Sequence, residues 1–271
     1  MTTAHIGGRL RWPVLFCCFC LVAPPLISAR VPSGVKPRGV ADIPGVIRHG
    51  PRRMKEIALT FDACSSRRRG KLDTAVAGVL LTTRTPATIF LGGKWAADVA
   101  RALRPLVSDS LIEFGNHAYL HQHLMTLSGD SIARELRKAQ IAIKGVVGKR
   151  PVLFRAPYGE VDARVAAVAE SLGLTVIGYD LASGDPDSLI PEQAIVRYVS
   201  SMARGGSIIV MHINTRGWHT AEALPEIIAN LRRKGYAFVT VSRLIARGKL
   251  PDGAHGRRSG RPGLSIPPPG R

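Results

Sequence analysis

The sequence predicts a parallel β/α architecture, either a reduced barrel or an open sheet. Three observations lead there. Short apolar runs at 56–61, 87–91, 111–115, 152–155, 174–179, 207–212 and 237–241 have the length of buried strands. Amphipathic stretches such as "SIARELRKAQIAIKGVV" and "AEALPEIIANLRRKG" lie between several of them. The span they occupy is about 200 residues, short for a full eightfold barrel but suited to a reduced one.

Taken in order, the chain opens with Arg9 and Arg11, then an apolar run from Trp12 to Ile27 that ends in Ser28 and Ala29. A positive start, a short apolar stretch and a small-residue exit describe a secretory signal peptide over residues 1–29, and hence an exported, periplasmic or secreted protein. The run is too short for a membrane span, and Pro13, Pro24 and Pro25 interrupt it. Residues 30–51, rich in Pro, Gly and Arg, read as an extended leader. The strand-like and helix-like segments fill a domain over 52–246. The basic, Pro/Gly-rich tail at 247–271 cannot bury a core and is expected to be disordered.

Cleavage after Ala29 would remove Cys17, Cys18 and Cys20 and leave Cys64 alone, so no disulfide partner is expected. The formal net charge is +19. A charge of this size favours anionic partners. Yet the basic residues are scattered apart from Arg67 to Arg69 and the C-terminal run, and no nucleic-acid-binding motif accompanies them. Nucleic acid is therefore not expected as a partner; an anionic cell-envelope surface is.

In a β/α barrel, functional residues collect at the C-terminal ends of the strands. Polar residues in this sequence fall there. Asp62 follows the first run, "EFGNHAYLHQHL" the third, "FRAPYG" the fourth and "YDLASGDPD" the fifth, and His212 closes the sixth. His117 and His121 are spaced i, i+4, which on a helical turn would put both rings on one face and let them share a metal. His123, two residues on, reads as a surface or supporting residue. Arg155 reads as a guanidinium that forks onto a buried carboxylate and keeps it ionised. His212 is either a satisfied core histidine or a proton donor. Trp95 and Trp218 are each either core residues or platforms for a sugar ring.

The set "LTFDA", "GNHAYLH", "RAPYG", "YDLASGD" and "IIVMH" resembles, in order and spacing, the five motifs of the polysaccharide deacetylase family, the NodB-like group of carbohydrate esterase family four. The resemblance covers about residues 52 to 246. It implies a distorted, reduced (β/α) barrel of about seven parallel strands. It further implies a divalent metal, usually zinc, and hydrolysis of the N-acetyl group of N-acetylglucosamine glycans such as chitin and peptidoglycan. By the same resemblance, Asp62 is the catalytic base, His117 and His121 are metal ligands, and Arg155 pairs with the base. Asp185 tunes the acid, His212 is the acid, and Tyr158 offers a backbone N–H to the oxyanion.

Two positions depart from the pattern. The family carries a second aspartate and then a glycine after the base; here Ala63 and Cys64 stand there, so the third metal ligand is missing. Asp185, Cys64 or water would have to replace it, with Asp185 or water expected ahead of Cys64 because an exposed thiol is easily oxidised after export. Val210 stands where leucine is common. The vacancy at Ala63 supports a second expectation, a catalytically impaired relative that binds glycans through the same cleft.

Overall fold

The computed structural model describes residues 43–65 and 70–248. The expected signal peptide, most of the expected leader, Arg67 to Arg69 and nearly all of the expected tail lie outside them. The chain runs β1 (Glu56–Ala63), α1 (Thr74–Thr82), β2 (Ala87–Leu91), α2 (Gly93–Asp98), α3 (Ala100–Val107), β3 (Ile112–Asn116) and α4 (Gly129–Val147). It continues through β4 (Leu153–Phe154), α5 (Ala163–Ser171), β5 (Thr175–Val176), β6 (Leu181–Ala182), α6 (Glu192–Met202) and β7 (Ile208–His212). It ends in α7 (Thr220–Arg233), β8 (Ala237–Phe238) and α8 (Val241–Gly248).

The strands form one sheet in the order β5-β4-β3-β2-β1-β7-β6, with β8 paired to the start of β1, and every ladder is parallel. This curled half-barrel is the parallel β/α architecture expected from the alternation of runs, in the distorted, reduced form that the resemblance implied. All seven expected strands occur; an eighth, β6, is two residues long and hidden in the polar "YDLASGD" segment. No ladder joins β5 to β6 among the described residues. Instead, residues 46–50 strap the gap: the Ile47 N–H donates to Val176 O at 3.0 Å, and the Gly50 N–H donates to Gly206 O at 2.8 Å. The last part of the expected leader is thus extended but stitched into the sheet.

The period of two along β1 assigns its faces. Ile57, Leu59, Phe61 and Ala63 enter the larger core cluster with Val76 and Leu80 of α1 and Leu224 and Ile228 of α7. Each fully buried Leu, Ile or Phe contributes about 1.5–3 kcal/mol relative to exposure. Ala58 packs on the other face with Phe90, Leu153 and Ile208, and Thr60 and Asp62 share that side by alternation. Helix boundaries follow local chemistry. Ser128 caps α4 by accepting from the Ser131 N–H, and Gly148, left-handed at φ 77°, ends it.

Candidate active site

Parallel register brings the strand ends to one level. Asp62 pairs with Phe90 on β2 and with His212 on β7, Leu91 with Asn116, and Asn116 with Phe154. Asp62 and His212 are therefore neighbours on adjacent strands, though 150 residues separate them in sequence.

Arg155 lies at the end of β4 and is buried, its guanidinium stacked 4.2 Å from the Phe90 ring centroid. Its Nη1 donates to Asp62 Oδ1 at 2.9 Å and to Thr60 Oγ1 at 2.8 Å. Nη2 donates to Gly178 O at 3.0 Å. The expected fork onto the carboxylate is corrected: Nη1 alone reaches Asp62, shared with Thr60, while Nη2 and Nε are taken by the carbonyls of Gly178 and Ile177 after β5. Burial pushes the Asp62 carboxyl upward, but the charge of Arg155, aided by His117 and His212, outweighs it and holds the group below its ordinary range. Asp62 is ionised with one oxygen, Oδ2, left outside the Arg155 contact.

His212 is held by Asp185. Nδ1 donates to Oδ1 at 3.0 Å, while the His212 backbone N–H donates to Oδ2 at 2.7 Å. Burial depresses the imidazole, and the charge and hydrogen bond of Asp185 more than reverse it, so the net shift is upward. Ser183 Oγ and Thr220 Oγ1 donate to the same carboxylate at 2.9 and 2.6 Å. Gly217 sits where a Cβ would lie 2.1 Å from Thr220 Oγ1 and 3.0 Å from both Asp185 Oδ2 and His212 O, so a side chain there would displace the Thr220 hydroxyl. Four donors saturate Asp185, which rules it out as a stand-in metal ligand. That expectation is corrected.

His117 and His121 come together, with ring centroids 4.9 Å apart, but not on a helix. They lie in the loop after β3, where Ala118 (φ 60°) and His121 (φ 58°) are left-handed. Asn116 imposes this path: its Oδ1 accepts from the Ala118 N–H at 2.8 Å and its Nδ2 donates to Leu136 O at 3.0 Å. His117 Nδ1 donates to Arg155 O at 2.8 Å, which leaves Nε2 facing Asp62 Oδ2 at 3.8 Å. Burial lowers both imidazoles, His121 to about 3, so both are neutral donors. Ala63, the last residue of β1, is fully buried. Cys64 is buried, not exposed as expected, and burial pushes its thiol up to about 11. Among the described residues no group of three or more His, Cys, Asp or Glu is placed to hold a metal ion. Two imidazoles fall one short of the three protein ligands usual for catalytic zinc. The described residues do not by themselves complete the expected metal centre.

Tyr158 is left-handed at φ 60° in the turn Pro157–Gly159, a conformation that costs a non-glycine residue energy and recurs at functional sites. Its ring lies 4.5 Å from that of His121 and stacks on His123 at 4.0 Å. His123 is a surface residue bonded to Glu160 at 2.8 Å, as its spacing suggested. Trp218 is 53% exposed on the loop after β7, its backbone N–H donating to Asp185 O at 3.0 Å. Trp95 is core, its Nε1 donating to Gly70 O.

A cavity of about 240 Å³ unites these groups, lined by Asp62, His117, His121, Tyr158, Asp185 and His212, with Cys64, Val210 and Arg216 among its other walls. Sequence reasoning missed Thr60, Ser183, Thr220 and Arg216. Thr60 was within reach, since it lies two residues before Asp62 and so on the same face. The other three had no local signal.

The sequence profile of the polysaccharide deacetylase family matches residues 49–177. The chain is 26% identical over 203 residues to a peptidoglycan-N-acetylglucosamine deacetylase of Bacillus cereus, covering 74% of this chain and 72% of that one. It is 32% identical to the solved family 4 carbohydrate esterase of Streptomyces lividans, with a TM-score of 0.60, covering 68% of this chain and 91% of the other. A mutant, described as restored in activity, of a pseudoenzyme of the same family from Bacillus anthracis superposes with a TM-score of 0.66. It is 25% identical and covers 73% of this chain and 70% of that one. The chain spans only 22% and 52% of two other curated relatives. Profile, identity and fold agree with the geometry: the chain belongs to the polysaccharide deacetylase family, carbohydrate esterase family four.

Proposed function

We propose that this chain is a hydrolase that removes the N-acetyl group from N-acetylglucosamine-containing glycans of the chitin or peptidoglycan kind. The observation that carries the reading is the pairing of opposed proton-transfer groups: Asp62, held ionised by Arg155, is the register partner of His212, whose basicity Asp185 raises. Family membership and the deacetylase relatives support it.

The chemistry follows from the atoms. Asp62 Oδ2, the oxygen Arg155 leaves free, takes a proton from a water that attacks the acetyl carbonyl. The carbonyl oxygen gains negative charge, which the resemblance assigns to the backbone N–H of Tyr158. His212, protonated and fixed through Nδ1, presents Nε2 to the departing nitrogen and delivers a proton there. The C–N bond breaks, and acetate and a free amine result. A divalent ion such as zinc, the imidazole-compatible choice, would polarise the acetyl carbonyl when bound; His117 and His121 are the donors it would find. Export to the periplasm or exterior belongs to the same proposal and rests on the segment 1–29.

Acetate release from N-acetylchitooligosaccharide and from peptidoglycan, with and without added Zn²⁺, tests the reading. Release is expected, and Asp62→Asn should reduce it ~10²–10⁴-fold. A specific observation favours a second reading: Ala63 stands where the family has a carboxylate, and a pseudoenzyme is among the structural neighbours. Glycan binding with no acetate release under any metal condition would establish that the chain is a binding module.

A further inference from the structure

The cavity holds a cation that the proposed chemistry does not use. Arg216 lines it, on the turn between β7 and α7. That turn is tied to the end of β1. Asn214 Nδ2 donates to Cys64 O at 2.7 Å, and its Oδ1 accepts from the Arg216 N–H at 3.2 Å. The Gly217 N–H returns to Asn214 O at 3.1 Å.

Among the described residues no carboxylate neutralises the guanidinium, whose side-chain contact is with the Cys64 thiol. Among the described residues, Asp62 and Asp185 are the carboxylates on the cavity wall. The first is paired with Arg155, and the second accepts from Ser183, Thr220 and two atoms of His212. Among the described residues Arg216 forms no ion pair with any carboxylate. The Cys64 thiol beside it is buried and stays protonated, so it supplies no counter-charge. A guanidinium presents paired N–H donors that match a planar carboxylate, and in a partly enclosed cavity such a contact is strong.

We propose that Arg216 binds a carboxylate of the ligand and makes this site prefer N-acetyl sugars with an acidic substituent over neutral ones. The proposal deepens the deacetylase reading and rests on this cavity being its sugar site. The carboxylate has two sources, an acidic group on the sugar or the acetate released, and binding measurements separate them.

The test is equilibrium binding to the whole chain, by calorimetry, of N-acetylmuramic acid, which carries a lactyl carboxylate, of neutral N-acetylglucosamine, and of sodium acetate. The acidic sugar is expected to bind about tenfold or more tightly than the neutral one, the scale of one charge-assisted contact. Arg216→Met should abolish that difference, and Arg216→Lys should keep part of it, which also shows that the turn still folds. If Arg216→Met weakens acetate but the two sugars bind alike, the carboxylate is the product's and the substrate preference is overturned. If neither variant changes any of the three affinities, the assignment of Arg216 fails entirely. Because binding is read without turnover, a chain that releases no acetate can still pass or fail this test.

Discussion

Asp185 grips His212 at two atoms, Oδ1 on the ring Nδ1 at 3.0 Å and Oδ2 on the backbone N–H at 2.7 Å. The double contact fixes the ring and, with the charge, sets its proton affinity. Buried alone, this imidazole would titrate low; beside Asp185 it titrates above its ordinary value.

A pH dependence follows. Activity needs Asp62 ionised and His212 protonated. The acid limb of kcat/KM should therefore lie below the ordinary aspartate value, because Asp62 is depressed, and the alkaline limb above 6.5, because His212 is raised. In Asp185→Asn the raising charge is gone while burial still depresses the ring, so the alkaline limb should move down. An unchanged alkaline limb in that variant would show that His212 is not the acid.

Removing Arg155 tests the buried pair. Arg155→Met leaves Asp62 desolvated with no cation in contact, and breaking such a pair costs about 3–5 kcal/mol. Its stability loss should be smaller at low pH, where the stranded carboxylate is protonated. Urea unfolding at two pH values checks both statements, and a neutral effect at pH 7 would contradict the pairing.

Gly217→Ala asks whether the Asp185 network depends on a close backbone approach. A Cβ at this position meets Thr220 Oγ1 at 2.1 Å and Asp185 Oδ2 and His212 O each at 3.0 Å. The turn must shift, at about 1–3 kcal/mol for overpacking. Deacetylation should fall while the far-ultraviolet circular dichroism spectrum stays native. Full activity would show that the network tolerates the movement.

The metal donors can be ranked by titrating Zn²⁺ calorimetrically into three variants. Cys64→Ser and Asp185→Asn should leave affinity unchanged, since the thiol is protonated and Asp185 is saturated. Ala63→Asp should tighten binding by adding a carboxylate as the third donor beside the two imidazoles. It should also lower the melting temperature, because Ala63 is fully buried against the core. Loss of zinc binding in Cys64→Ser alone would overturn this ranking.

The strand runs were legible because buried strands leave a period-two or all-apolar trace that survives any tertiary context. β6 left none: two residues in a Gly- and Asp-rich stretch, paired only because β7 lies alongside. Asp62, Arg155 and His212 were readable as strand-end residues that an apolar run cannot otherwise explain. The helical placing of His117 and His121 was not sound, since i, i+4 spacing also fits a loop, and the Asn116 side chain turns the backbone left-handed there.

By itself, then, the sequence determined the alternation of strands and helices, the strand-end polar residues, and the loss of a carboxylate at Ala63. Each is written in single residues or in local periodicity. The tertiary structure alone decided that Asp62 and His212 are neighbours, that Asp185 is saturated and that no carboxylate among the described residues pairs with Arg216. Those are relations between residues far apart in the chain, and only parallel register and the closing turn after β7 bring them within bonding distance.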